Sequence, residues 1–333
     1  MAGADPITDM ARRLCRRFPD HPARSLARRL VEEANGAITL EAARSRISRQ
    51  FGQCRWRNGR NTKPAVARKA RKPGQGVEMP KSIAEPFTPH KLRVTGTVGI
   101  ISDLHVPYHD DTAVTTAVRY LQGVGIDGLV ILGDLCDFYS ISRWVKDPKQ
   151  RDFKREMADC RVMLKWLRQE FPNIPMVLKQ GNHEERYDHW LWQHAAELAD
   201  EPACSLPQML RLHELDVEYV AEKRPVLVGK LPLLHGHELQ RGISAPVNQA
   251  RGAFLRTGHT VLVGHGHRTS VHCEPDMFGR ETTTWSIGCL SDLNPEYSRF
   301  AKYNHGFATV SVDSRGQFDV ENIRITNGEI RTS

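Results

Sequence analysis

Five short polar motifs, each closing a β-rich apolar run, decide most of what this chain can fold into. They are Asp103-Leu104-His105, Gly133-Asp134-Leu135-Cys136-Asp137, Gly181-Asn182-His183-Glu184, His235-Gly236-His237 and Gly264-His265-Gly266-His267. The apolar runs before them are 97–102, 129–132, 176–179, 231–234 and 260–263. Short apolar runs ended by Gly or Asp read as buried strands that finish in loops. In open α/β sheets, ligands bind beyond the carboxyl ends of the strands. Five such ends predict one polar cleft on an α/β fold. Helical patterns separate the strands at 113–121, 152–171 and 246–255. The second of these repeats apolar residues at Met157, Val162, Leu164 and Leu167 and is expected to cover a sheet face.

The motifs supply carboxylate, amide and imidazole groups, enough for two neighbouring divalent ions. Such a pair holds an activated water in line with a phosphorus atom, so the pattern points to phosphoester hydrolysis. Along a strand, residues i and i+2 face the same side. Asp103 and His105 are therefore expected to face one ion together, and His265 and His267 likewise if strand geometry persists. Asp134 is the natural bridge, because one carboxylate can touch both ions. Imidazole, carboxylate and amide oxygen suit Mn, Fe, Zn, Co or Ni without a thiolate, and Mn²⁺ is the expected ion. His183 is placed to stabilise or protonate the leaving alkoxide. Asp137 and Glu184 read as residues that orient ligands or cap backbone, and Cys136 as a packing residue. His237 reads as a loop or supporting residue, with a ligand role left open.

In their order and spacing these motifs resemble the calcineurin-like metallophosphoesterase superfamily, whose pattern is D-x-H, G-D-x-x-D, G-N-H-E/D, H and G-H-x-H. The match spans about residues 94–325. The resemblance implies a four-layer α/β/β/α sandwich of two mixed sheets with a dinuclear site at one edge. It implies one ion on Asp103, His105, Asp134 and His267, and a second on Asp134, Asn182, His235 and His265. It implies His183 as the catalytic histidine. The Ser/Thr phosphatases of that superfamily carry G-D-x-V-D-R-G. Here Asp137 is followed by Phe138-Tyr139-Ser140, which disfavours a phosphoprotein substrate. The two His-Gly-His segments, and the stretches 287–292 and 304–307, look more like the bacterial and phage phosphodiesterase branch.

Charge sets the N-terminal quarter apart. Residues 1–90 hold 19 Lys and Arg against 8 Asp and Glu, a net +11, which leaves −3 of the chain's +8 for residues 91–333. Residues 7–18 predict a helix with Met10, Leu14 and Phe18 on one stripe, and residues 23–33 a second with Leu26, Leu30 and Val31. Asn35-Gly36 breaks the pattern, and Thr39 can cap a third helix from Leu40 to about Phe51. The spacing is that of a helix-turn-helix. The third helix carries Arg44, Arg46 and Arg49 with Ser45 and Ser48, which could reach phosphates or base edges. A docking or dimerisation cap is the alternative use. The stretch that follows is rich in Lys, Arg, Pro and Gly with few apolar residues, and reads as a flexible linker suited to polyanion contact. Arg186, Arg241 and Arg251 are candidates for the cleft mouth. Tyr187, Trp190 and Trp192 are candidates for an apolar wall or stacking shelf. Tyr297, Arg299, Tyr303 and His305 fall in a loop that could lie over the site.

The expected organisation is a small all-α, helix-turn-helix-like domain (1–52), a basic linker (53–93) and a metallophosphoesterase catalytic domain (94–333). Seven cysteines without a Cys-x-x-Cys pair argue against structural zinc or a disulfide framework. No apolar run is long enough to span a membrane and no signal-peptide core is present, so a cytoplasmic location is expected. The expected activity is hydrolysis of a phosphodiester, nucleic acid or nucleotide, through a metal-bridging hydroxide. A small-molecule phosphomonoesterase is the alternative within enzymes. A non-catalytic nucleic-acid-binding or scaffold protein is the alternative outside them.

Overall fold

The computed structural model describes residues 5–19, 21–57, 79–143, 147, 149, 152–239, 247–296 and 299–331, with side chains of the third helix described through Gln50. The chain divides into two compact units, Met1–Ile83 and Ala84–Ser333. No helix among the described residues is long and apolar enough to cross a membrane.

The first unit is three helices, α1 (Pro6–Arg17), α2 (Ala23–Glu33) and α3 (Leu40–Arg57). Asp5 caps α1 by accepting from the Ile7 N–H, with proline at the first helical position, where its missing N–H costs nothing. Asn35 and Gly36 take left-handed φ values of 47° and 76° and end α2. Thr39 Oγ1 accepts from the Ala42 N–H to start α3. Leu14, Leu26 and Leu30 form the core with Ile38, Ile47 and small residues, among them Ala11, Cys15 and Ala43. Met10, Phe18 and Val31 pack at its margin. The third helix runs past the expected Phe51 to Arg57. Arg44 and Arg49 are exposed, while Arg46 pairs with Asp5 at 3.0 Å.

The second unit holds two mixed sheets. The strands are β1 (His90–Leu92), β2 (Gly96–Ile101), β3 (Gly128–Ile131), β4 (Met176–Lys179), β5 (Val217–Val220), β6 (Val226–Val228) and β7 (Leu231–Leu234). They continue as β8 (Val261–Val263), β9 (Ser270–Pro275), β10 (Glu281–Ser286), β11 (His305–Val312), β12 (Phe318–Thr326) and β13 (Glu329–Arg331). One sheet has seven strands in the order β13-β12-β11-β2-β3-β4-β5, and the other has six in the order β1-β6-β7-β8-β10-β9. β1 lies inside the stretch read from sequence as linker, and pairs in parallel with β6. The helices are α4 (Asp111–Val124), α5 (Phe153–Glu170), α6 (Asn182–His194), the short α7 (Leu206–Met209) and α8 (Gln249–Thr257).

The strand alternation builds the layers. Leu129, Ile131, Met176 and Leu178 point to one face of the seven-stranded sheet and pack under α4 and α5. Val98, Ile100, Val130, Leu132 and Val177 point to the other face and meet Val226, Val228, Leu231, Leu233 and Leu262 of the second sheet. Each fully buried side chain of this kind contributes about 1.5–3 kcal/mol. On the far side of the six-stranded sheet, Ala253 of α8 packs on Val261 and Val263. The result is four layers, helix, sheet, sheet and helix. Val162 departs from expectation: it is 66% exposed, and Cys160 and Met163 fill the inner face of α5 instead.

Candidate metal centre

The parallel strands β2, β3 and β4 end level with one another, since Ile101 pairs with Ile131 and Ile131 with Leu178. β7 and β8 end level in the other sheet, with Leu234 opposite Val263. All five motifs follow these ends. They do not continue as strand, however. Asp103, His105, Asp134, His265 and His267 have φ of 55°, 51°, 51°, 60° and 52°. Left-handed backbone at a non-glycine residue costs about 1–3 kcal/mol and persists only where the surroundings enforce it. Here the enforcement is hydrogen bonding between neighbouring loops. Asp103 N–H donates to Gly133 O, His105 N–H to Asp134 O, Leu290 N–H to Asp103 O and Asn304 N–H to His267 O. The expectation that Asp103 and His105 share a side through strand alternation thus gives way to two successive left-handed bends. Gly133, at φ 91°, has no room for a side chain, because a Cβ there would overlap the His235 ring.

Three groups of side chains converge at this edge. Asp103, His105 and His267 bring one ligand atom each within 4.8 Å of one another, and so do Asp134, His235 and His265, and also His105, Asp137 and His183. The first two are the donor groups that hold the expected metal ligands. His265 and His267 therefore go to different groups, unlike the strand-based expectation for that pair. Asp134 Oδ2 lies 3.7 Å from His105 Nε2 and 3.2 Å from His235 Nε2, so one carboxylate oxygen faces both groups. Asn182 Oδ1 is 3.2 Å from His235 Nε2.

The donor atoms fit divalent cations. His105 and His267 point Nε2 at Nε2 across 3.2 Å, and Asp103 Oδ1 is buried without a hydrogen bond, 3.1 Å from His267 Nε2. Such a set of inward lone pairs calls for a positive charge at its centre. The carboxylates here favour positive charge. Burial raises the Asp134 carboxyl, but His235 and His183 hold it well below its ordinary value. Burial lowers His235, but Asp134 and Asp103 raise it to about 10.

A layer of supporting contacts orients these groups. His105 Nδ1 donates to Asp137 Oδ1 at 3.0 Å, and His235 Nδ1 donates to Leu132 O at 2.7 Å, which leaves both Nε2 atoms facing inward. Glu184 is fully buried, and its carboxylate accepts from the N–H groups of Asp134, Cys136 and Gly181 at 2.8–3.1 Å. It ties the second motif to the third. Burial and the nearby Asp134 push its carboxyl up. The first turn of α6 points at the centre, and the His183 N–H donates to Asp134 Oδ1 at 2.9 Å. His183 Nδ1 lies 2.6 Å from Asp137 O and its Nε2 lies 3.1 Å from Arg186 Nη2. A carbonyl only accepts and a guanidinium only donates, so the ring carries its proton on Nδ1 and accepts at Nε2. Burial pushes His183 down to about 3, in keeping with a neutral ring.

Arg186 joins neither Glu185 nor Asp188. It donates to the carbonyls of Asp137 and Phe138 as well as to His183. The His237 side chain is nearly buried, its ring 5.3 Å from that of His235 and its Nε2 3.1 Å from Glu185 Oε1, and it belongs to neither donor group. Cys136 is buried beneath the second motif. Tyr187 is core, stacked between Phe138 and Phe153; Trp192 is 61% exposed; Trp190 stacks on His194. The Tyr303 ring lies 4.5 Å from that of His267, and His305 Nε2 donates to Ser291 O. Arg251 is exposed and lines neither cavity at the centre. Arg241, Pro246, Tyr297 and the basic stretch 58–78 lie outside the described residues.

Sequence reading missed one buried pair. Lys179 on β4 has no exposed surface and forms an ion pair with Glu238, which is 6% exposed. Glu238 accepts from the N–H groups of His235 and Gly236, so the pair fixes the fourth loop. Burial raises the Glu238 carboxyl, yet Lys179 and His237 hold it down to about 2. The signal was available: Lys179 shares the inward parity of Val177, where a charge demands a partner. Among the described residues, two cavities also open at the centre. The smaller, about 320 Å³, is lined by His105, Tyr108, Asp137, Tyr139 and Asp292 among others. The larger, about 990 Å³, is lined by Asn182, Arg186, Lys223, Arg256, His265 and Tyr303 among others.

Residues 96–296 match the calcineurin-like phosphoesterase family over more than half of the chain. The chain belongs to the calcineurin-like phosphoesterases. Similar proteins include the gene 54 protein of Mycobacterium phage L5, 27% identical over 228 residues that cover 65% of this chain and 89% of that protein. The gene 54 protein of Mycobacterium phage D29 is 26% identical over 231 residues, covering 64% of this chain and 88% of that one. Among solved structures, Yfce, a phosphoesterase from E. coli, is 18% identical and covers 71% of this chain and 98% of its own, with a TM-score of 0.37. In this family member the two donor groups lie within the matched residues, and the three-helix unit lies before them.

Proposed function

We propose that the chain is a divalent-metal-dependent phosphodiester hydrolase acting on nucleic acid or a nucleotide. The observation that carries this reading is Asp134, whose one carboxylate oxygen faces two separate donor groups. One ion is assigned to Asp103, His105, Asp134 and His267, and the other to Asp134, Asn182, His235 and His265. Mn²⁺ is the preferred ion, and Fe, Zn, Co and Ni suit the same donors. The ions, when bound, supply Lewis acidity at the phosphoryl oxygens and an activated water for in-line attack. The protein supplies the rest. Asp137 and the Leu132 carbonyl hold the His105 and His235 rings in one tautomer. Glu184 and the Lys179–Glu238 pair hold the loops that carry Asp134 and His235.

His183 is assigned to the leaving oxygen. Its Nε2, at which Arg186 now donates, would have to take up a proton before giving it to that oxygen, and Arg186 brings a positive charge beside that position. Displacement of the Arg186 N–H by the leaving oxygen would put both groups on it. The catalytic domain is taken as residues 84–333, with the three-helix unit and the basic stretch before it as a separate polyanion-binding arm. The exposed Arg44 and Arg49 favour that use.

The test is hydrolysis of an aryl phosphodiester and the matching monoester by protein stripped with EDTA and reloaded with Mn²⁺. The reading expects the diester to be cleaved faster, and only after reloading. A preference for the monoester would make the chain a phosphomonoesterase. Activity that survives stripping would remove metals from the account, and no activity on either ester would favour a scaffold.

A further inference from the structure

The two cavities at the centre differ in charge and size, and share no lining residue. The smaller carries Asp137, Asp292 and Glu296 against one arginine, Arg299, whose Nη1 already donates to Asn294 O. Tyr108 and Tyr139 meet edge to face within it, 6.3 Å between centroids. Among the described residues the larger carries Arg143, Arg186, Lys223 and Arg256 against one carboxylate, Glu185, which pairs with Lys223 at 3.6 Å. Trp190 and Tyr303 add aromatic surface there.

We propose that the centre acts at the end of a nucleic-acid strand, with the terminal nucleoside in the smaller cavity and the strand's phosphates in the larger one. The proposal rests on the phosphodiesterase reading above and deepens it. A diester phosphorus carries two organic arms, and these two openings, both reaching the donor groups, can take one arm each. His105 lines the smaller cavity, and Asn182 and His265 line the larger. A cavity of about 320 Å³ is at the lower end of those that hold one small ligand. Its tyrosines can stack a base, and Asp292, whose Oδ1 accepts from the Asn294 N–H, keeps Oδ2 to accept from hydroxyl or amino groups. The carboxylates of this cavity repel a second phosphate. The larger cavity, about 990 Å³, has room for more than one nucleotide and carries the opposite charge.

The direction of cleavage follows from Arg186. It lines the larger cavity and touches His183 Nε2, while the Nδ1 side of that ring faces Asp137 of the smaller one, so we place the leaving oxygen on the Nε2 face, toward the strand. Water oxygen bonds to phosphorus and gives up a proton, the P–O bond to the strand breaks, and the strand oxygen takes up that proton by way of His183 Nε2. The products are a nucleoside monophosphate and a strand shortened by one nucleotide with a new hydroxyl end. That end fits the smaller cavity again.

The test uses the full-length protein with Mn²⁺ and one single-stranded oligodeoxynucleotide. It is prepared linear with hydroxyl ends, with phosphate at either or both ends, and as a closed circle. The expected first product is a mononucleotide, with the strand shortening stepwise. Phosphate on both ends should slow cleavage at least about tenfold, and the circle should resist. In EDTA, a dinucleotide with hydroxyl ends should bind about tenfold tighter than the same dinucleotide with phosphate ends. Replacing Asp292→Asn and Glu296→Gln together should shrink the penalty for end phosphates, read as a ratio of rates within one variant. Arg256→Ala should raise KM for the oligonucleotide more than for an aryl diester. Internal fragments from the circle, or rates indifferent to the ends, would overturn the proposal. Aryl-diester hydrolysis with no action on any oligonucleotide would overturn it while leaving the phosphodiesterase reading intact. Failure on the aryl diester as well would overturn both.

Discussion

The two units of this chain treat charge in opposite ways. Among its described residues the N-terminal unit buries nine apolar residues, three of them alanines, and leaves Arg44 and Arg49 in solvent. The catalytic unit buries Asp103, Asp134, Glu184, His235 and Lys179. A solvated charge contributes little and is screened by salt. A buried charge is costly unless it is paired, so each one specifies a partner in a fixed place. The first unit is thus suited to adaptable, salt-sensitive contact, and the second to chemistry at one point.

The comparison breaks most visibly at the shared carboxylate. Asp134→Ala should reduce turnover to background and release at least one ion, measured by aryl-diester assay and elemental analysis. Full activity with two retained ions would show that Asp134 is not the bridge.

His183→Ala comes next. Turnover should fall roughly 10²–10⁴-fold, the range expected for a group acting on the leaving oxygen, with metal content unchanged. The loss should be smaller for esters whose leaving group is a weak base. Equal losses for good and poor leaving groups would take His183 out of that role.

Lys179→Met sharpens the contrast in stability rather than rate. It strands Glu238 as a lone buried charge, which should cost about 3–5 kcal/mol. Thermal melting should show the drop, and a second change, Glu238→Gln, should recover part of it. A melting temperature equal to wild type would mean that the pair does not hold the fourth loop.

The smallest expected effect on the chemistry is removal of residues 1–83, the whole first unit. Aryl-diester hydrolysis should stay within about twofold, because every assigned ligand lies in the other unit. Nucleic-acid affinity should fall, and its dependence on salt should flatten as phosphate contacts are lost. If full-length protein shows no salt-sensitive binding, the first unit is a docking module instead.

Much of the catalytic unit was legible because its strands are short and capped by residues with few other uses. The runs at 129–132 and 176–179 are strands β3 and β4 within one residue at an end, and the motifs follow them directly. What sequence could not convey was the route of the backbone. Non-glycine residues at positive φ leave no mark in composition, so Asp103 and His105 were read as strand neighbours when both sit on left-handed bends. The same bends send His265 and His267 to different groups. Tyr108, Tyr139 and Asp292 meet only through loop folding, and no periodicity announces a cavity. In the first unit, periodicity located the helices, but the core relies on Ala11, Cys15 and Ala43, which are small enough to read as neutral.

The central claim is that one carboxylate links two metal sites, and metal titration of the stripped wild-type protein tests it most directly. Calorimetry with Mn²⁺, checked by elemental analysis, should show two ions bound per chain, with aryl-diester hydrolysis appearing as the second site fills. One bound ion at full activity, or activity with none, would contradict the account.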